Sequence, residues 1–177
     1  MCAGDPRRRR RRGVSPRARG FPEGPISEKI EIVELRPQRV ATIRRTVPRS
    51  ELGAFFAEVI PKVRAAIAAQ GGKPAGPPYG RYYNGDPAAF DTEAGIPFTG
   101  SVRAANEVRV GELPGGPAAK TVHIGPYDTL PQEYPRVEGW LAEKGKRAAV
   151  GPWESYVDDM ATTKPAALRT ELYWPIG

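Results

Sequence analysis

The stretches FAEVIPKVRAAIAAQGGKPAGPPYGRYYN (56–84) and LPQEYPRVEGWLAEKGKRAAVGPWESYVD (130–158) align without a gap at an offset of 74 residues. The register pairs Pro61 with Pro135, Val63 with Val137, Ala68 with Ala142, Gly71 with Gly145, Ala75 with Ala149, Pro78 with Pro152 and Tyr82 with Tyr156, seven identities in 29 positions. Replacements keep chemical class: Lys62 matches Arg136, Ile67 matches Leu141 and Tyr79 matches Trp153. A proline, a glycine stop and an aromatic in common register point to a duplicated unit.

Each copy has its own local signals. In the first, Ile30, Ile32 and Leu35, then the β-branched run Val40 to Val47, predict two strands split by a turn at Arg36 and Pro37. Ser50 stands as a candidate N-cap, and Leu52, Phe55, Phe56, Val59, Ile60, Val63 and Ile67 follow at helical spacing up to Gly71. Pro61 and Pro135 predict a kink or a break in each helix. Beyond the helix, residues 79–83 and 92–98 read as strands. The second copy repeats the order, with strands at 108–113 and 119–124, a helix over 130–144, and strands at 153–157 and 168–176. One long helix per copy among short strands predicts an α+β fold with antiparallel sheet. Its tandem strand-helix-strand-strand units would cover about 28–100 and about 101–177, with a pocket at the pseudo-twofold junction.

Charge is distributed unevenly along the chain. Residues 1–25 hold eight arginines against Asp5 and Glu23, which is +6 of the net +7, so the rest is nearly neutral. The run Arg7–Arg12, set among Pro and Gly, repels itself and offers nothing apolar to bury, which predicts a disordered tail over residues 1–27. Such a tail is either a solvated extension or a phosphate-binding arm; no other part of the chain suits nucleic acid. The tail has no apolar signal-peptide region and the chain has no run of about 18 apolar residues, so a cytoplasmic protein without membrane contact is expected. Cys2 is the only cysteine and His123 the only histidine, which argues against a disulfide, a structural metal or a metal cofactor.

The segments HIGPYDTL (123–130), GPWESYVDD (151–159) and RTELYWPI (169–176), with their first-half counterparts GPPYGRYY (76–83) and FDTEAGIP (90–97), resemble GyrI-like domains. That family includes the effector-binding domains of multidrug-sensing MerR-type and AraC-type regulators. The resemblance covers residues 28–177. It implies two units whose sheets form a concave surface with helices behind, and a pocket at their junction for lipophilic, aromatic or cationic small molecules. Residues 1–27 are too short and too polar for a helix-turn-helix domain, so a stand-alone binding domain acting by sequestration is expected.

Strand alternation sends Trp153, Ser155 and Val157 to one face and Glu154, Tyr156 and Asp158 to the other. With Trp153 and Val157 assigned to the helix-side core, Glu154 and Tyr156 fall on the pocket face, and the resemblance carries a ligand-meeting role to Glu154. Gly80 matches Glu154 in the first copy and would leave space opposite it. Tyr82 and Tyr156 are expected to face each other as walls, and Tyr173 to join them. Trp174 is either wall or core, as is Trp140. Tyr127 either presents its hydroxyl to the pocket mouth or staples the helix start. A carboxylate on an aromatic wall suits a ligand cation, and burial should raise its pKa.

Two other functions are open, a hydrolase that shares the pocket and an interaction module that needs an exposed complementary surface instead. Some family members are hydrolases of cyclopropane-bearing toxins, for which Glu154 and Tyr156 would be the catalytic pair; others are gyrase-protecting interaction modules. His123 as a base lacks a G-x-S-x-G nucleophile and reads more simply as structural. Glu93 and Glu171 match between the copies and read as structural, bonding turn amides, with Glu171 also a candidate for the pocket rim.

Overall fold

The computed structural model describes residues 26–177, so the readings of the arginine-rich tail and of Cys2 lie outside the described residues. The first part contains β1 (Ile26–Ser27), β2 (Glu31–Leu35), β3 (Gln38–Val47), α1 (Leu52–Ala69), β4 (Lys73–Pro74), β5 (Tyr79–Tyr82) and β6 (Phe90–Thr99). It continues with β7 (Arg109–Leu113), β8 (Gly116–Ile124), α2 (Glu133–Glu143), β9 (Trp153–Tyr156) and β10 (Arg169–Pro175). Ten strands form one antiparallel sheet in the order β1-β8-β10-β9-β5-β6-β3-β7, with β2 also on β8 and β4 on β6. The expected class, mixed α+β with antiparallel sheet and two helices, is the one observed.

The apolar stripe of α1 buries Phe55, Val59, Val63 and Ile67, spaced four residues apart. They pack on Ala41 and Ile43 of β3 and on Ala94, Ile96 and Phe98 of β6. On α2, Val137 and Leu141 pack against Ala119 of β8 and Leu172 of β10. Burying an aliphatic side chain of this size stabilises by about 1.5–3 kcal/mol, which is what holds each helix to its strands. Both helices end in the same way. The amide of Gly72 bonds back to Ile67 and that of Lys146 to Leu141, while Gly71 and Gly145 take φ of 73° and 65°. Only glycine adopts that left-handed turn without steric cost.

Three local expectations are corrected. Of the kink or break expected at Pro61, the break does not occur: α1 is continuous from Leu52 to Ala69. The helix expected over 130–144 is instead a 3-10 turn, Leu130–Gln132, followed by α2. Pro135 then occupies the third helical position, where its missing amide hydrogen had no partner to lose. Ser50 does not cap α1; it sits inside a 3-10 turn, Arg49–Glu51, and the helix starts without a side-chain cap. The two strands split by a turn at Arg36 and Pro37 are present as β2 and β3; β2 crosses to β8 while β3 inserts between β6 and β7.

Strand alternation puts two different cores on the two faces. The helix face carries the packing just described. On the opposite face, Val40, Tyr79, Leu113 and Trp153 form a third cluster with Leu35 and Tyr173. Neither face of the sheet centre is bare. No helix among the described residues is long and apolar enough to cross a membrane.

Candidate functional site

At the centre of the sheet β5 pairs with β9, and Gly80 lies directly opposite Glu154. Above this pair, on the helix face, a cavity of about 1250 Å³ opens between α1 and α2. Leu52, Phe56 and Ile60 of α1 form one wall; Tyr134 of α2 and Trp174 of β10 lie on the other side; Tyr82, Glu154 and Tyr156 line it from the sheet. Tyr127, Val150 and Met160 stand at the mouth, where Val150 and Met160 are exposed.

The position of the pocket overturns one step of the sequence reasoning. Trp153 does not face the helices; it stacks on Tyr173 across the back of the sheet, with centroids 5.4 Å apart. Pocket and helices share one face, and Glu154 points between them. Tyr173 is therefore absent from the pocket, with its hydroxyl donating to Glu171 at 2.7 Å. Val157, expected in the helix-side core, is exposed at the pocket lining.

Glu154 is only 6% exposed. Its Oε1 accepts a hydrogen bond from the Tyr134 hydroxyl at 2.7 Å, and its Oε2 accepts from Tyr156 at 2.8 Å and Tyr82 at 3.3 Å. Burial pushes the Glu154 carboxyl above its ordinary range, and the hydroxyls of Tyr134, Tyr156 and Tyr82 only partly oppose this. Burial and then the Glu154 charge hold Tyr82, Tyr134 and Tyr156 well above the usual tyrosine value, so these phenols stay protonated donors. The arrangement is a buried carboxylate held entirely by neutral hydroxyls.

The hydroxyls of Tyr82 and Tyr156 approach to 3.3 Å. Tyr127 packs edge-on against Tyr156, with centroids 5.3 Å apart, and lines the mouth. Trp174 lines the pocket edge-on to Tyr134 and donates its indole N–H to the Ala149 carbonyl at 2.8 Å, tying down the rim. Trp140 packs beside the second core and is not part of the pocket. Gly80 does not leave free space opposite Glu154: a Cβ there would come within 2.6 Å of the Phe56 ring and 2.8 Å of the Tyr156 hydroxyl, so both groups fill that volume.

His123 is fully buried, with Nδ1 3.1 Å from Glu133 and Nε2 3.0 Å from the Thr129 hydroxyl. Glu93 and Glu171 bond no turn amides. Glu93 accepts from the hydroxyls of Tyr79 and Tyr83, and Glu171 from Tyr173 and Lys120, both on the back of the sheet.

Several pocket residues lie outside the sequence expectations, Phe56 and Tyr134 among them. Phe56 had been assigned to the core with the rest of its stripe, whereas the stripe is wide enough to serve core and pocket at once. Tyr134 was not singled out at all. Its signal was available: a tyrosine beside the core-facing positions of a helix needs a partner for its hydroxyl.

No curated protein sequence matches the chain. Among solved structures, the C-terminal domain of EcmrR superposes with a TM-score of 0.76 at 20% identity, covering 84% of this chain and 97% of that one. EcmrR in its DNA complex gives 0.75 at 20% identity over 84% of this chain, which spans 57% of the EcmrR chain. A hydrolase from Listeria innocua gives 0.64 at 14% identity, covering 84% of this chain and 92% of that one. SAV2435 bound to tetraphenylphosphonium gives 0.59 at 14% identity, covering 85% and 94%. These likenesses show a shared fold. The sequence itself matches the family of the GyrI-like small molecule binding domain over residues 28–177, which takes in both helices, the central strand pair and the cavity, and the chain therefore belongs to that family.

Proposed function

We propose that this small-molecule-binding domain takes lipophilic, flat or aromatic cations, with Glu154 as the counter-charge. The observation that carries this reading is the environment of Glu154. It is a carboxylate at the bottom of a large apolar cavity, and its side-chain hydrogen bonds come from three uncharged phenols. A buried charge without a counter-ion is costly, and a cationic ligand supplies the missing partner while the rings of Phe56, Tyr82 and Tyr156 supply area and cation-π attraction. Tetraphenylphosphonium, held by SAV2435, has this chemistry and suits a cavity of this size.

A hydrolytic role for Glu154 and Tyr156 fits less well. Both carboxylate oxygens already accept hydroxyl hydrogens, three in all, which occupies most of the acceptor positions a hydrolytic water would need.

We also read the fold as a tandem duplication about a pseudo-twofold axis at the Gly80–Glu154 pair. In support, the sheet order runs β8-β10-β9 and then, mirrored, β5-β6-β3. Under this reading the two halves differ where the pocket needs one charge, since the place of Glu154 is taken by Gly80 in the other half.

The test is Glu154→Gln, assayed with tetraphenylphosphonium and with the neutral triphenylphosphine oxide. Cation affinity should fall by about 1–3 kcal/mol while the neutral compound changes by less than about twofold. Equal losses for both compounds, or none for either, would remove Glu154 as the counter-charge.

A further inference from the structure

The back of the sheet has its own opening. A cavity of about 210 Å³ lies over β9 and β10 on the face away from the helices. Its floor is made by Trp153, Ser155, Glu171 and Tyr173, and its sides are three connections rising from the sheet. These are the β2–β3 turn at Leu35 and Arg36, the linker before β5 at Gly76 and Pro77, and the β7–β8 turn at Leu113 and Pro114. The sheet separates this space from the pocket that holds Glu154; the two openings share only Pro77, in the linker before β5.

Three observations say what would fit. The first is size: an apolar cavity of about 150 Å³ accommodates benzene, so this one takes a single substituted ring and excludes the polycyclic molecules the larger pocket admits. The second is the wall, where the stacked rings of Trp153 and Tyr173 favour an aromatic guest. The third is a polar group on the floor: Ser155, 9% exposed, lines the cavity. Ser155 also stands directly opposite Glu171 in the β9–β10 register.

The charge of Glu171 is already answered. Lys120 lies 2.9 Å from one of its oxygens and the Tyr173 hydroxyl donates to the other at 2.7 Å. A carboxylate has about four acceptor positions, so Glu171 retains room for a further donor. With Lys120 beside it and Arg36 at the rim, a second cation is disfavoured and an anion would meet the carboxylate. The guest that suits all of this is neutral.

We propose that this chain carries a second, independent ligand site on the back of the sheet, for a neutral single-ring aromatic molecule whose O–H or N–H donor reaches the Ser155 hydroxyl and the Glu171 carboxylate. The site does not rest on the cation reading of the larger pocket and stands or falls separately.

Phenol is the probe. Titrated into the full chain and followed by backbone amide NMR, it should shift Gly76, Ser155, Glu171 and Tyr173, with a Kd on the order of 1 mM. Toluene, which lacks the donor, and benzylamine, which carries a charge, should each bind at least about fivefold more weakly, the equivalent of one lost hydrogen bond. Ser155→Ala and Glu171→Gln should weaken phenol by a similar factor. Saturation with tetraphenylphosphonium, and separately Glu154→Gln, should leave phenol affinity unchanged, while Ser155→Ala should leave tetraphenylphosphonium binding as it was. Shifts confined to residues of the larger pocket, toluene binding as well as phenol, or phenol affinity indifferent to both Ser155→Ala and Glu171→Gln would each overturn the proposal.

Discussion

Two glutamates are buried on the helix face of this sheet, and they are held in opposite ways. Glu133, 2% exposed, accepts hydrogen bonds from Ser27 and from the Arg136 guanidinium at 2.8 Å, with the His123 ring 3.1 Å away. Burial pushes its carboxyl up, but the bonds from Ser27, His123 and Arg136 outweigh this and hold it below the ordinary range. Glu154, similarly buried, meets phenols alone and ends above the ordinary range. Glu133 is complete as it stands and ties β1 and β8 to α2. Glu154 lacks a counter-charge and faces a cavity. The contrast teaches that burial does not mark a functional carboxylate; a missing partner beside open space does.

The largest expected effect is on stability at the completed centre. Glu133→Ala strands His123 and Arg136 and should lower the unfolding free energy by about 3 kcal/mol in urea denaturation. A loss under about 1 kcal/mol would mean that Glu133 is no more satisfied than Glu154, and the comparison fails.

A smaller effect, read by its sign, comes from pH. Because Glu154 is raised, the folded chain binds its proton more readily than the unfolded chain. The stability it contributes is present below the ordinary carboxyl value of 4.5 and is lost as pH rises through the raised value. Glu133 is lowered, so its contribution is present above 4.5 and is lost as pH falls through the lowered value. Stability of Glu154→Gln relative to the unmodified chain should therefore climb with pH above about 4.5. The deficit of Glu133→Gln should shrink as pH drops below it. Tetraphenylphosphonium affinity should rise over the same window as Glu154 ionises, and Glu154→Gln should flatten that rise. Parallel pH trends in the two variants would break the contrast.

The smallest effect lies between the two centres. Thr170 pairs with His123 on one side and Tyr156 on the other, and its hydroxyl is the one buried side-chain polar atom without a partner among the described residues. Thr170→Val should raise the unfolding free energy by about 1 kcal/mol, because the isosteric change removes an unpaired hydroxyl. A loss instead would mean that water joins Thr170 to both neighbours, making one network of the two centres.

Much of this was legible along the chain. The four-residue spacing from Phe55 to Ile67, the glycine stops at 71 and 145 and the β-branched run before α1 each depend on neighbours within a few positions, and each produced the expected element. Strand alternation put Glu154 on one face with Tyr156, and it is the resemblance to GyrI-like domains that implies its ligand-meeting role. Tyr134 and Phe56 were not nominated, because their roles depend on which strand lies beneath each helix. Tyr173 was misplaced for a related reason: alternation sorts residues onto two faces but does not say what covers either face.

Periodicity, turn chemistry and charge distribution are local quantities, and from them the sequence alone determined the class of fold, the helices and the near-neutral body beside a basic terminal stretch. Tertiary structure alone decided that pocket and helices share one face, that β2 crosses to β8, that three tyrosines converge on Glu154 and that Trp153 and Tyr173 look out on a cavity at the back. Those outcomes depend mostly on contacts between residues far apart in the chain, which are set by packing both sheet faces at once, and no spacing rule within a single segment carries that information.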